Sequence, residues 1–313
     1  MRECLERGAE AFGWGDRPAA GSATEDGETL VGWGCAVGAY KAALAIGEAH
    51  IIRNGDVLIV TVSGHEMGQG MRNTVAQMVA DQLSVKPGLV DVRMGVTGDV
   101  PQHLSAGSWG SPTAAEAVAA ACAKLQRDGG NEARATVYPP GVPEEARTRF
   151  DSGRPIAAGP DFPDFVSLAH AAMFVEVHID RLTRTLRVPR ALSVIDCGRV
   201  LSGRMARSQG LGGLVWGIAS ALHDGTEIDG RYGGWLNRDL GEYLVPVSAD
   251  IRDLDTILLD EPDPLLGAVG AKGLGEVSMT GTSAAIANAV RHVTGVRVRS
   301  LPILMDVLHA EMR

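Results

Sequence analysis

The sequence predicts an α+β fold of two units, each a mixed sheet with helices packed on it. Three observations carry that expectation. Short apolar runs with strand character are joined by compact turns, segments with helical spacing follow them, and both halves of the 313-residue chain mix hairpins with helices. No residue-level repeat relates the halves.

In chain order, MRECLERGAEAFGWGDR reads as an amphipathic helix carrying charges throughout, without the apolar core and small-residue cleavage site of a signal peptide. A helix starting at residue 2 suggests the rear part of something longer, or one subunit of it. Residues 15–28 are rich in Gly, Ala, Asp and Ser and read as a loop. LVGWGCAVGAY and AIGEAHIIRNGDVLIVTVS read as strands, the second a pair hinged on Asn54-Gly55, a dipeptide that accepts the positive φ of a two-residue hairpin turn. MRNTVAQMVADQL places apolar residues at 71, 75, 78, 79 and 83, the spacing of one helix face. VDVRMGV at 90–96 is expected as a strand, and AAEAVAAACAKL as a helix started by Pro112 and Thr113. These elements make a first half, residues 1–126.

Residues 127–168 are rich in proline and poor in periodicity, and read as a connection between halves or a functional loop. The second half, 169–313, opens with a hairpin of AAMFVEVHID and RTLRVPRALSVIDCG. ARSQGLGGLVWGIASALHD follows as a helix despite its glycines, DTILLDE as a strand, GTSAAIANAVRHVTG as a helix closed by Gly295, and VRVRSLPI as a last strand.

Composition excludes several functions. No window approaches the roughly 18 apolar residues of a membrane helix, so no membrane partner is expected. With 38 acidic against 29 basic residues the net charge is -9, which argues against a nucleic-acid partner, because phosphates call for clustered Lys and Arg. The basic stretch 181–190 is interleaved with apolar residues and reads as a solvated hairpin face. Cys4, Cys35, Cys122 and Cys197 have no C-x-x-C spacing, so they assemble neither a zinc knuckle nor an iron-sulfur cluster, and no metal ligand is assigned. A reducing, cytoplasmic compartment fits them.

Four segments could carry chemistry. GHEMGQG, 64–70, lies between a strand and a helix, where glycines let the backbone approach a ligand and free N–H groups meet an anion. It lacks the second histidine of H-E-x-x-H, which rejects zinc; it is either a plain tight turn or one that presents the amide of Gln69. AGSWGSPT, 106–113, precedes a helix and either caps it or holds a phosphate. Glycines at 210, 212, 213 and 217 within a helix pattern imply close packing against another element, or approach to a cofactor. Last, GAVGAKGLGE, 267–276, has no Ser or Thr after Lys272 and so is no phosphate loop. Its glycine track delivers Glu276 to a point just before a helix, as a cap or as a general base.

In their order, GHEMGQG, VIDCGRVL, ARSQGLGGLVWGIASAL, NRDLGEYLVP and GAKGLGE resemble the molybdenum hydroxylases, the xanthine dehydrogenase and aldehyde oxidase family, in their molybdopterin-binding large subunit. The resemblance runs along the whole chain, and the later blocks look closest to bacterial aldehyde oxidoreductases. It implies an oxidoreductase that hydroxylates an aldehyde or N-heterocycle with water as oxygen source, using a molybdopterin-type molybdenum cofactor that the protein does not ligate through side chains. Glu276 matches the catalytic base. Gln69 and Gln209 match glutamines that hydrogen-bond the pterin; Gly68 and Gly70 flank the first; Lys272 and Gly273 lie in the active-site segment; and Ser111 to Ala115 match a loop near the cofactor phosphate.

The resemblance also implies partners, because a full large subunit is more than twice this long. They are the N-terminal half of that subunit, iron-sulfur and FAD subunits or domains, and a small-molecule aldehyde or heterocycle; without the first half the chain is expected to be inactive. Where family members commonly carry serines, this chain has Glu116 and Val118, and a carboxylate is electrostatically opposed to a phosphate. That departure favours an alternative, a non-catalytic or isolated domain that folds without binding the cofactor.

Overall fold

The computed structural model describes residues 1–24, 26–154 and 164–312. The strands are β1 (Thr29–Lys41), β2 (Gly47–Asn54), β3 (Val57–Val62), β4 (Val90–Arg93), β5 (Glu132–Val137), β6 (Leu168–Asp180), β7 (Leu186–Asp196) and β8 (Asp253–Leu259). The helices are α1 (Arg2–Phe12), α2 (Met71–Leu83), α3 (Gly110–Asp128), α4 (Glu144–Asp151), α5 (Gly203–Leu222), α6 (Met279–Thr294) and α7 (Met305–Glu311).

Two four-stranded sheets result, ordered β4-β3-β2-β5 and β1-β6-β7-β8. Each is mixed in the same way: β3 with β4, and β7 with β8, run parallel, and the remaining pairs are antiparallel. The antiparallel hairpins need only tight turns, and Gly55 takes φ 60 in the turn that sets Asn54 opposite Val57. A parallel neighbour instead requires a crossover, which α2 supplies between β3 and β4, and α5 between β7 and β8. Hairpin, helix, parallel strand, helix is therefore the order in both units, β2-β3-α2-β4-α3 and β6-β7-α5-β8-α6. The loops that leave the parallel strands and enter these helices are 63–70, 94–109, 197–202 and 260–278, where binding crevices of open sheets form.

Each sheet buries one face under its own helices. In the first, Ala49, Ile51, Val60 and Val62 meet Val75 and Val79 of α2 and the small side chains Ala114, Ala117 and Ala121 of α3. In the second, Met173, Val175, Val177 and Ile195 meet Leu214 and Ile218 of α5 and Ile286, Ala289 and Val290 of α6. The second sheet is covered on its other face by α1, with Cys4 and Phe12 against Phe174, Val194 and Leu259. There the Arg190 guanidinium lies 3.9 Å from the centroid of the Phe12 ring. Among the described residues no helix is long and apolar enough to cross a membrane.

The predicted α+β class and mixed sheets are observed, but the boundaries at 126 and 168 do not follow the sheets. β1 pairs with β6 along its whole length, from Thr29 opposite Asp180 to Lys41 opposite Leu168, so α1 and β1 pack with the second unit. β5, inside the predicted connection, completes the first sheet by pairing with β2, and α4 also falls there. Residues 155–163 of that connection lie outside the described residues. VRVRSLPI forms no strand. It runs past the end of α5, where Ile303 N–H donates to Ala221 O at 2.7 Å, and Pro302 has no N–H to offer a ladder.

Candidate functional site

The four loops enclose a cleft of about 320 Å³ between the two units. Met67 and Gln69 line it from the first loop, Ser105 to Ser108 from the second with Gly110 and Ser111 of the helix it enters, Arg199 to Ser202 and then Met205 and Gln209 from the third, and Lys272 to Glu276 from the fourth. Glu276 is the one carboxylate among these lining residues.

In the first loop, Gly64, Gly68 and Gly70 all take positive φ, which lets the chain curl before α2. The curl brings the Glu66 carboxylate onto the N–H groups of Gly68, Gly70 and Arg72 at 2.8, 3.1 and 2.9 Å. The start of α2 is thus capped from within, which corrects the expectation that its N–H groups stand free for an anion. Burial would raise the Glu66 carboxyl, but these donors and Arg72 hold it below the usual carboxylate range. Gln69 is similarly occupied: its Oε1 accepts Met67 N–H at 2.7 Å and its Nε2 donates to His65 O at 2.7 Å. Gly70 has a second role, because a Cβ there would stand 2.2 Å from Met205 Sδ.

The second loop is pinned by the Trp109 indole N–H to Leu104 O at 2.7 Å and by His65 Nδ1 to Ser105 Oγ at 2.5 Å. α3 then starts at Gly110 with no side-chain cap, and Gly110, Ser111 and Pro112 face the cleft. Ala115 does not reach it. Its side chain is buried in the core of the first unit, which removes it from the predicted cofactor contacts. Glu116, also buried, turns away from the cleft and accepts the N–H groups of Ala268, Val269 and Gly270 at 3.0, 2.9 and 3.3 Å. Val118 is core.

The third loop leads into α5, which likewise begins without a side-chain cap and turns Ser202, Met205 and Gln209 to the cleft. Arg199 is exposed at its edge. The glycines of α5 serve packing: added Cβ atoms at 210, 213 and 217 would meet Thr256, Ser278 and Thr282 within 2.5, 1.9 and 2.4 Å. Gly212 meets nothing within 4 Å.

In the fourth loop the Lys272 ammonium is committed to Asp196, 3.2 Å away, and to Asp263 at 3.6 Å, with its side chain only 10% exposed. Burial would raise the Asp196 carboxyl, yet the Gly198 N–H, Lys272 and His170 hold it below its ordinary value. Gly273 permits contact between loops, since a Cβ there would stand 2.2 Å from Ser108 O. Glu276 is half-buried, and its Oε2 accepts the hydroxyl of Ser108. Burial first, then the Glu276 charge, pushes the Tyr40 phenol above the ordinary tyrosine value.

Gln69, Ser111, Gln209, Lys272, Gly273 and Glu276 are therefore brought to one cleft, and Gly68 and Gly70 shape the turn beside it. Sequence reasoning missed Glu66, Ser108, Arg199 and Tyr40. Glu66 and Ser108 stood inside quoted segments, but only the positive φ of Ser108 and the curl around Glu66, both tertiary features, give them their contacts. Chemically, two uncapped helix starts and Arg199 suit an anion, the Gln209 amide suits a polar ring, and a lone carboxylate suits proton transfer.

Residues 7–252 match the family described as molybdopterin cofactor-binding domain. The chain is 36% identical, over 98% of its length, to the aldehyde oxidoreductase molybdenum-binding subunit PaoC of Escherichia coli K12, and covers 44% of that protein. It is 28% identical, over 99% of its length, to the putative xanthine dehydrogenase molybdenum-binding subunit XdhA of the same strain, covering 46%. The chain thus spans less than half the length of these relatives. Its fold matches CO dehydrogenase from Oligotropha carboxidovorans at a TM-score of 0.72, with 18% identity over 96% of this chain and 41% of the other. Aldehyde oxidoreductase from Desulfovibrio desulfuricans ATCC 27774 matches at 0.71, with 22% identity over 100% and 34%. With the family match spanning most of the sequence and four of the five expected blocks meeting at one cleft, the chain belongs to the molybdopterin cofactor-binding domains of the molybdenum hydroxylase family.

Proposed function

We propose that this chain forms one wall of the active site of a molybdenum-dependent hydroxylase that oxidises aldehydes or N-heterocycles with water as oxygen source, with Glu276 as the general base. The observation that supports this reading most is the placing of Glu276 as the single carboxylate in a cleft otherwise furnished for an anionic, hydrogen-bonding group. The residues present fit the cofactor. Gly110 and Ser111 at the start of α3, Ser202 at the start of α5, and Arg199 would meet its phosphate; Gln209, and Gln69 after release from its own loop, would meet the pterin. Gly273 would lie against it as bare backbone, and Lys272 would support the loop through its carboxylate partners. Glu116, the feature that favoured a cofactor-free relative, is engaged behind the cleft and leaves the phosphate side clear.

When bound, the cofactor supplies the two-electron redox chemistry. The chain's own contribution is positional and electrostatic. Glu276 accepts a proton from the oxygen nucleophile, a role that needs an ionised carboxylate held within hydrogen-bond reach. The glycine track holds it there, and the starts of α3 and α5 would hold the anionic part of the cofactor. The remaining wall and the electron acceptors come, in this reading, from the N-terminal half of a large subunit and from iron-sulfur and FAD partners; this chain alone turns over no substrate.

The test is Glu276→Gln in the assembled enzyme. Turnover falls by at least roughly 10³-fold while molybdenum and pterin content stay at the wild-type level. Retained turnover would remove Glu276 as the base, and stoichiometric molybdenum with aldehyde oxidation in this chain alone would remove the need for the other half.

A further inference from the structure

The hydroxyl of Ser108 donates to Glu276 Oε2 across 168 residues of chain. We propose that Ser108 is a positioning residue for Glu276, a hydroxyl group from a separate loop that fixes its carboxylate in one orientation at the cleft wall. The proposal rests on the reading of Glu276 as the base.

Backbone geometry carries it. Ser108 takes φ 60 directly after Gly107 at φ 56. A side chain in the left-handed region is disfavoured, and such residues persist where the surroundings over-determine them. Here the surroundings are specific. Trp109 ties its indole to Leu104 O, Ser105 bonds His65, and the loop is thereby set so that Ser108 Oγ faces the 273–276 track. The track accommodates it at Gly273, where a Cβ would stand 2.7 Å from Ser108 Cβ as well as 2.2 Å from its carbonyl oxygen. At Gly275 a Cβ would stand 3.4 Å from both Ser108 Oγ and Gln209 Oε1. The glycines beside the base thus admit the group that holds it.

The chemistry is consistent. An ionised carboxylate only accepts hydrogen bonds, and the Ser108 hydroxyl donates. A glutamate side chain has considerable rotamer freedom, and a donor from the opposite loop restricts it before substrate arrives.

Two measurements test this. In the full chain, the Tyr40 phenol is titrated by NMR of ring-labelled tyrosine, with Tyr40→Phe identifying its signal. Glu276→Gln should lower the Tyr40 midpoint toward that of an ordinary tyrosine, because it removes the neighbouring charge. Ser108→Gly and Ser108→Ala should lower it too, since the untethered carboxylate leaves the phenol. Glycine accepts φ 60 and alanine does not, so a shared effect belongs to the hydroxyl rather than to the backbone. An unchanged midpoint in Glu276→Gln, or in both Ser108 variants, overturns the proposal. In the assembled holoenzyme at wild-type cofactor content, Ser108→Gly should cut kcat roughly 10- to 100-fold with KM unchanged. Full kcat in Ser108→Gly, with Glu276→Gln inactive, overturns the positioning role alone; an active Glu276→Gln overturns the base on which it rests.

Discussion

Gly267 and Glu116 meet behind the cleft: a Cβ on Gly267 would stand 2.6 Å from the Glu116 carboxyl carbon. The close approach lets one carboxylate from α3 collect three successive N–H groups, those of Ala268, Val269 and Gly270. Charge-assisted bonds of this kind are stronger than neutral ones, and of the three donors Gly270 is buried. The loop that ends at Glu276 is therefore fastened to the first unit at its other end.

Glu116→Ala should lower stability by about 2–4 kcal/mol, the scale of losing several hydrogen bonds to a charged group. Urea denaturation reads the loss, and hydrogen exchange should quicken at 268–270 first. Gly267→Ala should also destabilise, because φ 124 suits glycine alone and the Cβ has no room. A Glu116→Ala variant with the wild-type midpoint would show that the fastening carries no stability.

The glycines of α5 separate into two kinds. At Gly213 a Cβ would stand 1.9 Å from Ser278 Oγ, whose hydroxyl bonds Gly210 O at 3.1 Å across the α5–α6 crossing. Gly213→Ala should cost about 1–3 kcal/mol through overpacking. Gly212 is exposed with no neighbour within 4 Å, so Gly212→Ala should gain about 0.5–1 kcal/mol from helix propensity alone. Thermal denaturation of the pair should move in opposite directions, and a common direction would defeat the packing argument.

This contrast also marks how far the sequence could be read. The Asn54-Gly55 hairpin, the spacing of α2 and the Gly295 stop of α6 are local signals, and each is observed. The four α5 glycines look alike in sequence, because only the facing residues Thr256, Ser278 and Thr282 distinguish them. β1 reads as part of the first half and residues 132–137 as connection for the same reason: strand pairing is a long-range choice, made here by the Thr29–Asp180 and Gly47–Val137 registers. VRVRSLPI alternates like a strand but pairs with neither sheet. In the cleft, the settings of Glu276 and Ser111 leave a helix cap and a functional site both open, and Gln209 is singled out only by the resemblance of its block to the family. Tyr40 was not legible, since a tyrosine at a strand end carries no local mark of the carboxylate whose charge acts on it.

Glu66 predicts an acid-sensitive contribution. Its folded carboxyl is held below the ordinary value, which is about 4.3, so the stability it contributes is present above that pH and is lost as pH falls through the folded pKa. Glu66→Ala should cost about 1 kcal/mol at pH 7, as other lost helix caps do, and the gap to wild type should close as the pH drops below about 4. Parallel stability curves for the two proteins across that range would refute the capping role.

Lys272 offers a choice between two readings that one variant separates. As a direct cofactor contact it would leave the fold intact when removed and lower cofactor retention. Its ammonium instead lies between Asp196 and Asp263, carboxylates whose side chains are 21% and 16% exposed. Lys272→Met removes the cation that bridges both and leaves two like charges near each other, at a cost of about 1–3 kcal/mol once partial exposure is allowed for. The pH dependence has a definite sign. Asp196 is held below its ordinary value of about 3.9, so its contribution holds above that pH and disappears as pH falls through the folded pKa; without Lys272 much of it should already be absent at pH 7. The variant should therefore be least favourable relative to wild type at neutral pH and approach it in acid. Because Lys272 N–H also bonds Cys197 O at 2.8 Å, the loop remains attached, and cofactor content in the assembled enzyme should fall less than stability does. Wild-type stability combined with lost cofactor would assign Lys272 to the cofactor after all.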